Sequence, residues 1–311
     1  MRKTKLRAAL VAAPLLVTGL VGGCAQGAVE SASTSPAAAA PSASAPATTP
    51  AHITKALARL EHQHDRRLGL YMLDTGTGRT VAYHADERFG FCSTVKAFQV
   101  GVLLRRSSDA QLDQVVTYSR DDLVANSPVT EKHVDTGMPV RGLMKAAIQY
   151  SDNTAANLLF KRLGGPAGLQ RAMRALGDTT SHMNRIEPDL SDTPPGTTRD
   201  TSTARQMGAD LRKLLLGNVL PPDRRTLLTG WMRGNTTGDD LIRAGVPKSW
   251  TVADKTGSGL TYGTRNDIAV AWRPSGAPVV IVLMTRGHHE NDDYDQDLLA
   301  AATRTALPGL R

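Results

Sequence analysis

Ser93-Thr94-Val95-Lys96 stands where the chain changes character, and its reading decides the fold. Ahead of it, Ile53–His64 has apolar residues at helical spacing. Leu68–Leu73 then alternates like a strand, Thr75-Gly76-Thr77-Gly78 supplies turn chemistry, and Val81–His84 completes a predicted hairpin. From Ser93 to about Met232 helical patterns dominate: Val95–Arg105, Val140–Ser151, Thr154–Leu163, Gly168–Leu176 and Thr201–Leu216. Strand patterns return at Trp250–Asp254, Asp267–Arg273 and Val279–Thr285, and a helix is predicted over Tyr294–Leu307. Strands at both ends with helices between predict one sheet layer built from both termini and a helical insertion. The active site belongs in the crevice between them, a favoured place for pockets.

The tetrapeptide has a chemical reading. A helix beginning at Ser93 puts its hydroxyl one turn from the Lys96 ammonium, on one face. A serine hydroxyl is a poor nucleophile until a base takes its proton. A lysine is such a base when desolvation or neighbouring cations lower its pKa. The helix N-terminus adds free N–H groups for a developing oxyanion. Taken alone, the four residues are equally a helix cap followed by a surface lysine. Ser151-Asp152-Asn153, just after a predicted helix, is alone only a helix terminus or turn. Lys255-Thr256-Gly257, at the end of a predicted strand, is alone only a strand end.

As a set, in this order and context, the three match S-x-x-K, S-D-N and K-T-G. Here the chain resembles class A serine β-lactamases, from about Ile53 to the C-terminus. Asp122-Leu123-Val124, Ser127–His133, Asn157, Trp231-Met232 and Trp250 extend the resemblance. Arg185-Ile186-Glu187-Pro188-Asp189-Leu190 resembles the opening of the family's omega loop, and Asp200 the residue that pairs with Arg185 across its base. The resemblance implies the α/β (α+β) fold shared with penicillin-binding proteins, an antiparallel sheet flanked by helices plus an all-helical part. The α/β part then takes about residues 53–85 and 245–311, and the helical part about 86–244.

It also implies roles. Ser93 attacks the lactam carbonyl, Lys96 belongs to the base network, and Ser151 relays a proton to the departing nitrogen. Asn153 binds the acyl amide. Lys255, Thr256, Ser258 and Arg265 receive the substrate carboxylate, and Gly257 permits close backbone approach. The N–H groups of Ser93 and Ser258 form the oxyanion hole. Glu187 activates the deacylating water, and a cis bond is expected before Pro188. A wall peptidase shares Ser93, Lys96, Ser151 and Lys255 but has no need of Glu187; a non-enzymatic sensor or wall-binding module keeps the fold without turnover, and the complete catalytic set argues against it.

The departures carry information too. Ser191 stands where the family usually has Asn to help hold the hydrolytic water; its hydroxyl still donates and accepts but is shorter. Asn126 replaces a frequent aromatic at the cleft wall, and Leu260-Thr261 lies in the turn after the K-T-G strand. Cys92 has no cysteine partner at Gly259, so a free, buried thiol is expected. Gly287-His288-His289-Glu290 with Asp292 and Asp293 reads as a polar loop rather than a metal site, which needs convergent ligands. Neither metal nor cofactor is expected.

The N-terminus fixes the expected compartment. Arg2, Lys3, Lys5 and Arg7 precede an apolar run, Ala8–Val21, of signal-peptide length. Val21-Gly22-Gly23-Cys24 resembles a lipoprotein processing site, which would remove residues 1–23 and lipidate Cys24; ordinary cleavage near Ala25–Ala28 is the alternative. Residues 24–52, rich in Ala, Ser, Pro and Thr, form a tether reaching ~30 Å. The expected product is an exported monomer, attached to a membrane only through Cys24. Without the four signal cations the formal charge of +8 falls to about +4, too weak a balance for nucleic-acid binding.

Overall fold

The computed structural model describes residues 49–311; the predicted signal segment, Cys24 and nearly all of the tether lie outside the described residues. Nine strands occur among them: β1 (Arg67–Asp74), β2 (Thr80–Tyr83), β3 (Arg88–Gly90), β4 (Val115–Val116), β5 (Met138–Pro139), β6 (Thr201–Thr203), β7 (Thr251–Ser258), β8 (Arg265–Trp272) and β9 (Val279–Arg286). Ten α-helices accompany them: α1 (Ala51–Gln63), α2 (Val95–Arg106), α3 (Asp109–Asp113), α4 (Val140–Gln149), α5 (Asn153–Leu163), α6 (Gly165–Ala175), α7 (Ala204–Leu215), α8 (Pro222–Arg233), α9 (Ile242–Gly245) and α10 (Gln296–Ala306).

The main sheet has the order β2-β1-β9-β8-β7, antiparallel throughout, and takes its strands from residues 67–83 and 251–286 alone. Its period-two pattern sorts side chains into two cores. Leu68, Leu70 and Met72 of β1 join Val279, Ile281 and Leu283 of β9 on one face, beneath α1 and α10. Tyr71 and Leu73 join Val280, Val282 and Met284 on the other, against the helical part. Sheets covered on both faces read as long apolar runs, and Val279–Met284 is one.

The helical part is organised around α2. Every residue from Val95 to Leu104 is buried, and α2 contacts α4, α5, α6, α7 and α8. A helix buried all round needs apolar residues on every side. Lys96 and Gln99 break that rule; Gln99 Nε2 donates to the Ala156 carbonyl at 3.0 Å, and Lys96 serves the site described below.

Three expectations are corrected. The predicted helix over Thr201–Leu216 begins only at Ala204. Its first three residues form β6, paired with β3, and the Thr203 hydroxyl caps α7 by accepting from Gln206 N at 3.2 Å. The strand predicted over Trp250–Asp254 runs on through Lys255-Thr256-Gly257, because β7 pairs with β8 as far as Ser258 opposite Arg265. Ser93 sits in a single 3₁₀ turn, Cys92–Thr94, which feeds α2 at Val95.

Candidate active site

The Ser93 turn closes against β7. A Cβ on Gly257 would lie 2.9 Å from the Phe91 carbonyl and 3.2 Å from Thr94 N, so only glycine lets the strand approach this closely. The close approach expected at Gly257 is thus made to the Ser93 turn. Cys92 starts that turn with a left-handed φ of 48°; it is a free, buried thiol whose pKa burial pushes up, away from reactivity. Ser93 Oγ donates to Glu187 Oε1 at 2.9 Å.

Lys96 Nζ lies one turn on, fully buried. It donates to the Ser151 carbonyl at 2.7 Å and to Asn153 Oδ1 at 2.6 Å, and lies 3.0 Å from Glu187 Oε1. Its hydrogen bonds are therefore all directed into the site. Burial pulls its pKa below the usual lysine range, while the charge of Glu187 acts against that.

Ser151 and Asn153 are presented by the short connection between α4 and α5. Ser151 takes a left-handed φ of 55°. Asp152 fixes the connection from inside: its carboxylate caps α5 at Ala155 N (2.8 Å) and accepts from Val129 N (3.0 Å) and Thr130 N (2.9 Å). Asn153 N donates to the Asn126 carbonyl at 3.0 Å, and Asn153 Nδ2 to the Ala125 carbonyl at 2.9 Å. Asn126, itself left-handed at φ 61°, therefore helps hold Asn153 as well as lining the cleft.

Glu187 is 3% exposed and precedes a cis peptide bond to Pro188. Asn157 grips its backbone from both sides: Nδ2 donates to the Glu187 carbonyl at 2.8 Å, and Oδ1 accepts from Glu187 N at 2.9 Å. Ser191 Oγ donates to Glu187 Oε2 at 3.1 Å. The loop carrying both is closed at its base, where Arg185 Nε meets Asp200 Oδ2 at 2.6 Å. Asp200 Oδ1 also accepts from Asn184 N at 2.8 Å and Arg185 N at 3.0 Å.

The opposite wall comes from β7 and β8. Lys255 is fully buried; its Nζ donates to Ser151 Oγ at 3.1 Å and to the Thr256 carbonyl at 2.8 Å. Burial, and then the charge of Lys96, bring its pKa down to about 7. Thr256 Oγ1 and Thr237 Oγ1 are 2.5 Å apart. Arg265 Nη1 donates to Ser258 Oγ at 2.5 Å and Nη2 to the Thr237 carbonyl at 3.2 Å. The surface available to an anion is therefore Thr237, Thr256, Ser258 and Arg265. Lys255 stands behind it and does not line the cleft. The cleft has a volume of about 540 Å³ and exposes Ser93, Ser151, Asn153, Glu187 and Ser191 together.

This geometry agrees with what the chain is similar to. A family profile described as the beta-lactamase enzyme family matches residues 52–308. Beta-lactamase 3 of Bacillus cereus is 50% identical over 256 residues, covering 82% of this chain and 81% of that protein. The beta-lactamase of Bacillus licheniformis is 52% identical over 253 residues, covering 81% and 82%. A class A beta-lactamase structure from Clostridium kluyveri superposes with a TM-score of 0.81 at 43% identity, covering 83% of this chain and 98% of that one. The chain belongs to the class A β-lactamase family.

In this β-lactamase, four residues around the cleft have no role in the sequence reading. Thr237 lies 19 positions before its partner Thr256, in a loop without a local signal. Asn157 was recognised without a role; its clamp on Glu187 spans 30 positions. Asp254 and Asp267 form a buried acidic layer beneath the anion wall, and burial raises both carboxyl pKa values. Among the described residues no group of three or more His, Cys, Asp or Glu converges on a metal site. The His288–Asp293 loop closes on itself, with Asp292 Oδ2 accepting from His288 N at 2.8 Å and His289 N at 3.0 Å. No helix among the described residues is long and apolar enough to cross a membrane.

Proposed function

We propose that the enzyme opens the β-lactam ring of penicillins and cephalosporins through a Ser93 ester, which Glu187 then clears. The carrying observation is the single carboxylate of Glu187, which accepts from Ser93 Oγ at 2.9 Å and from Ser191 Oγ at 3.1 Å while lying 3.0 Å from Lys96 Nζ. One acid thus stands within proton-transfer reach of the nucleophile and of the base network. Ser93 Oγ attacks the lactam carbonyl, and its proton passes to the Glu187–Lys96 pair. The tetrahedral oxyanion is received by the N–H groups of Ser93 and Ser258. As the C–N bond breaks, Ser151, held by Lys255, delivers its proton to the nitrogen and takes the one lost by Ser93 back from Lys96, 3.4 Å away, so that Glu187 is again a free base. Asn153 binds the acyl amide; Thr256, Ser258 and Arg265 bind the carboxylate, with the charge of Lys255 behind them.

In the second step Glu187 takes a proton from water, which attacks the ester carbonyl. The proton returns to Ser93 Oγ as the ring-opened acid leaves. A wall peptidase has no use for a buried carboxylate clamped by Asn157 and aimed at its nucleophile. Export and lipidation at Cys24, with the monomer tethered outside the membrane, complete the reading.

The test is turnover of a chromogenic cephalosporin, with Glu187→Gln in parallel. The wild type should complete many cycles. The variant should hold a stable mass adduct on Ser93. A stoichiometric burst without turnover by the wild type overturns the reading.

A further inference from the structure

The turn that joins β7 to β8 is tied to the loop that carries Glu187. Leu260 N donates to the Ser191 carbonyl at 2.9 Å. One residue further along both segments, Thr261 Oγ1 donates to Asp192 Oδ1 at 2.9 Å. Asp192 is itself fixed from the other side: its carbonyl accepts from Arg185 Nη2, and its N–H donates to the Asp189 carbonyl at 3.1 Å. The turn is anchored as well. Gly259 N donates to the Thr264 carbonyl at 2.9 Å, Tyr262 N to the Glu290 carbonyl at 2.7 Å, and Tyr294 Oη to the Gly259 carbonyl at 3.1 Å.

Two hydrogen-bonded segments therefore meet at two adjacent bonds, one to the carbonyl of Ser191 and one to its neighbour Asp192, and the Ser191 hydroxyl donates to Glu187 Oε2. We propose that Thr261 and Asp192 form a latch that positions Ser191, and through it Glu187, for release of the acyl group. The inference rests on the reading of Glu187 as the base of the second step. Neither latch side chain touches the reacting atoms, so both are positioning residues. The first step does not need the Oε2 side of Glu187: Ser93 and Lys96 both meet Oε1. Opening the latch should therefore slow release and spare acylation.

The experiment uses the whole enzyme with a penicillin. The rate at which the Ser93 adduct disappears is followed by quenched-flow mass spectrometry, beside steady-state kcat and KM. Thr261→Val removes the hydroxyl at nearly constant shape. It should slow adduct decay by about tenfold, the scale of a small misplacement of a catalytic group. kcat and KM should fall together while kcat/KM, which reports acylation, stays within about twofold. Asp192→Ala, approaching the same bond from the other side, should give the same split, and Thr261→Ser should restore wild-type decay. Unchanged adduct decay in Thr261→Val and Asp192→Ala overturns the latch. So does a fall in Tm and kcat/KM with KM unmoved, the mark of a structural contact only. Glu187→Gln is the control: if its adduct decays normally, the assignment of the base has failed rather than the latch.

Discussion

Lys255 shows how far one residue's chemistry depends on where it is buried. On a surface its ammonium would stay charged to about pH 10.4. Enclosed by β7, β8 and the Ser151 connection, it loses its proton at about pH 7. On the proposed function, the wall that binds the substrate carboxylate then loses the charge that stands behind it. Since kcat/KM reports the free enzyme, its pH profile should show a basic limb near 7. In Lys255→Arg, whose guanidinium keeps its proton, that limb should move to higher pH; a profile unchanged by the substitution would show that another group titrates. The same lysine acts on stability with the opposite sign. Its folded pKa is depressed, so between about pH 7 and about 10.4 the unfolded chain binds more protons, and this group's contribution to ΔG of unfolding rises with pH across that window. At this scale, the sequence made Ser93, Lys96, Ser151, Glu187 and Lys255 legible, because short motifs carry residue types. It did not reveal that Lys255 acts from behind Thr256, which is a matter of burial.

At the scale of the element, the loop from Arg185 to Asp200 is a polar structure held by its ends. Asp200 is fully buried and accepts from two backbone N–H groups and the Arg185 guanidinium. Removing its charge leaves Arg185 without its carboxylate partner, though still bonded to the Asp192 carbonyl, and weakens three bonds at once. Asp200→Asn should therefore cost roughly 2 to 3 kcal/mol, read from urea denaturation, and the loosened loop should also slow release of the Ser93 adduct. The pairing was expected from the chain's resemblance to its family. The short strands β3 and β6 were not, because three residues are too few to show a period. Only their pairing, Arg88 opposite Thr203 and Gly90 opposite Thr201, identifies them.

For the whole molecule, the site lies on the seam between the sheet and the helical part, and α2 carries the nucleophile turn into the larger of the two cores. Phe98, 1% exposed on α2, packs within that core. Phe98→Ala should cost about 3 to 5 kcal/mol. Circular dichroism and residual activity should lose signal in one coincident transition; two separated transitions would mean that sheet and helices unfold independently.

The sequence by itself determined the five strands of the main sheet, the helical stretch between them, the candidate catalytic residues and the family, because periodicity and short motifs are written in neighbouring residues. Only the tertiary structure decided that one Glu187 carboxylate serves Ser93, Lys96 and Ser191 together. It also decided that Thr237 meets Thr256 in the cleft, that Gly257 is spent on the Ser93 turn, and that Thr261 bonds to Asp192. Apart from Glu187 and Ser191, four positions apart, these contacts join positions from 19 to 166 apart. Local pattern cannot encode such distances; only the packing of sheet against helices brings the atoms within a hydrogen bond of one another.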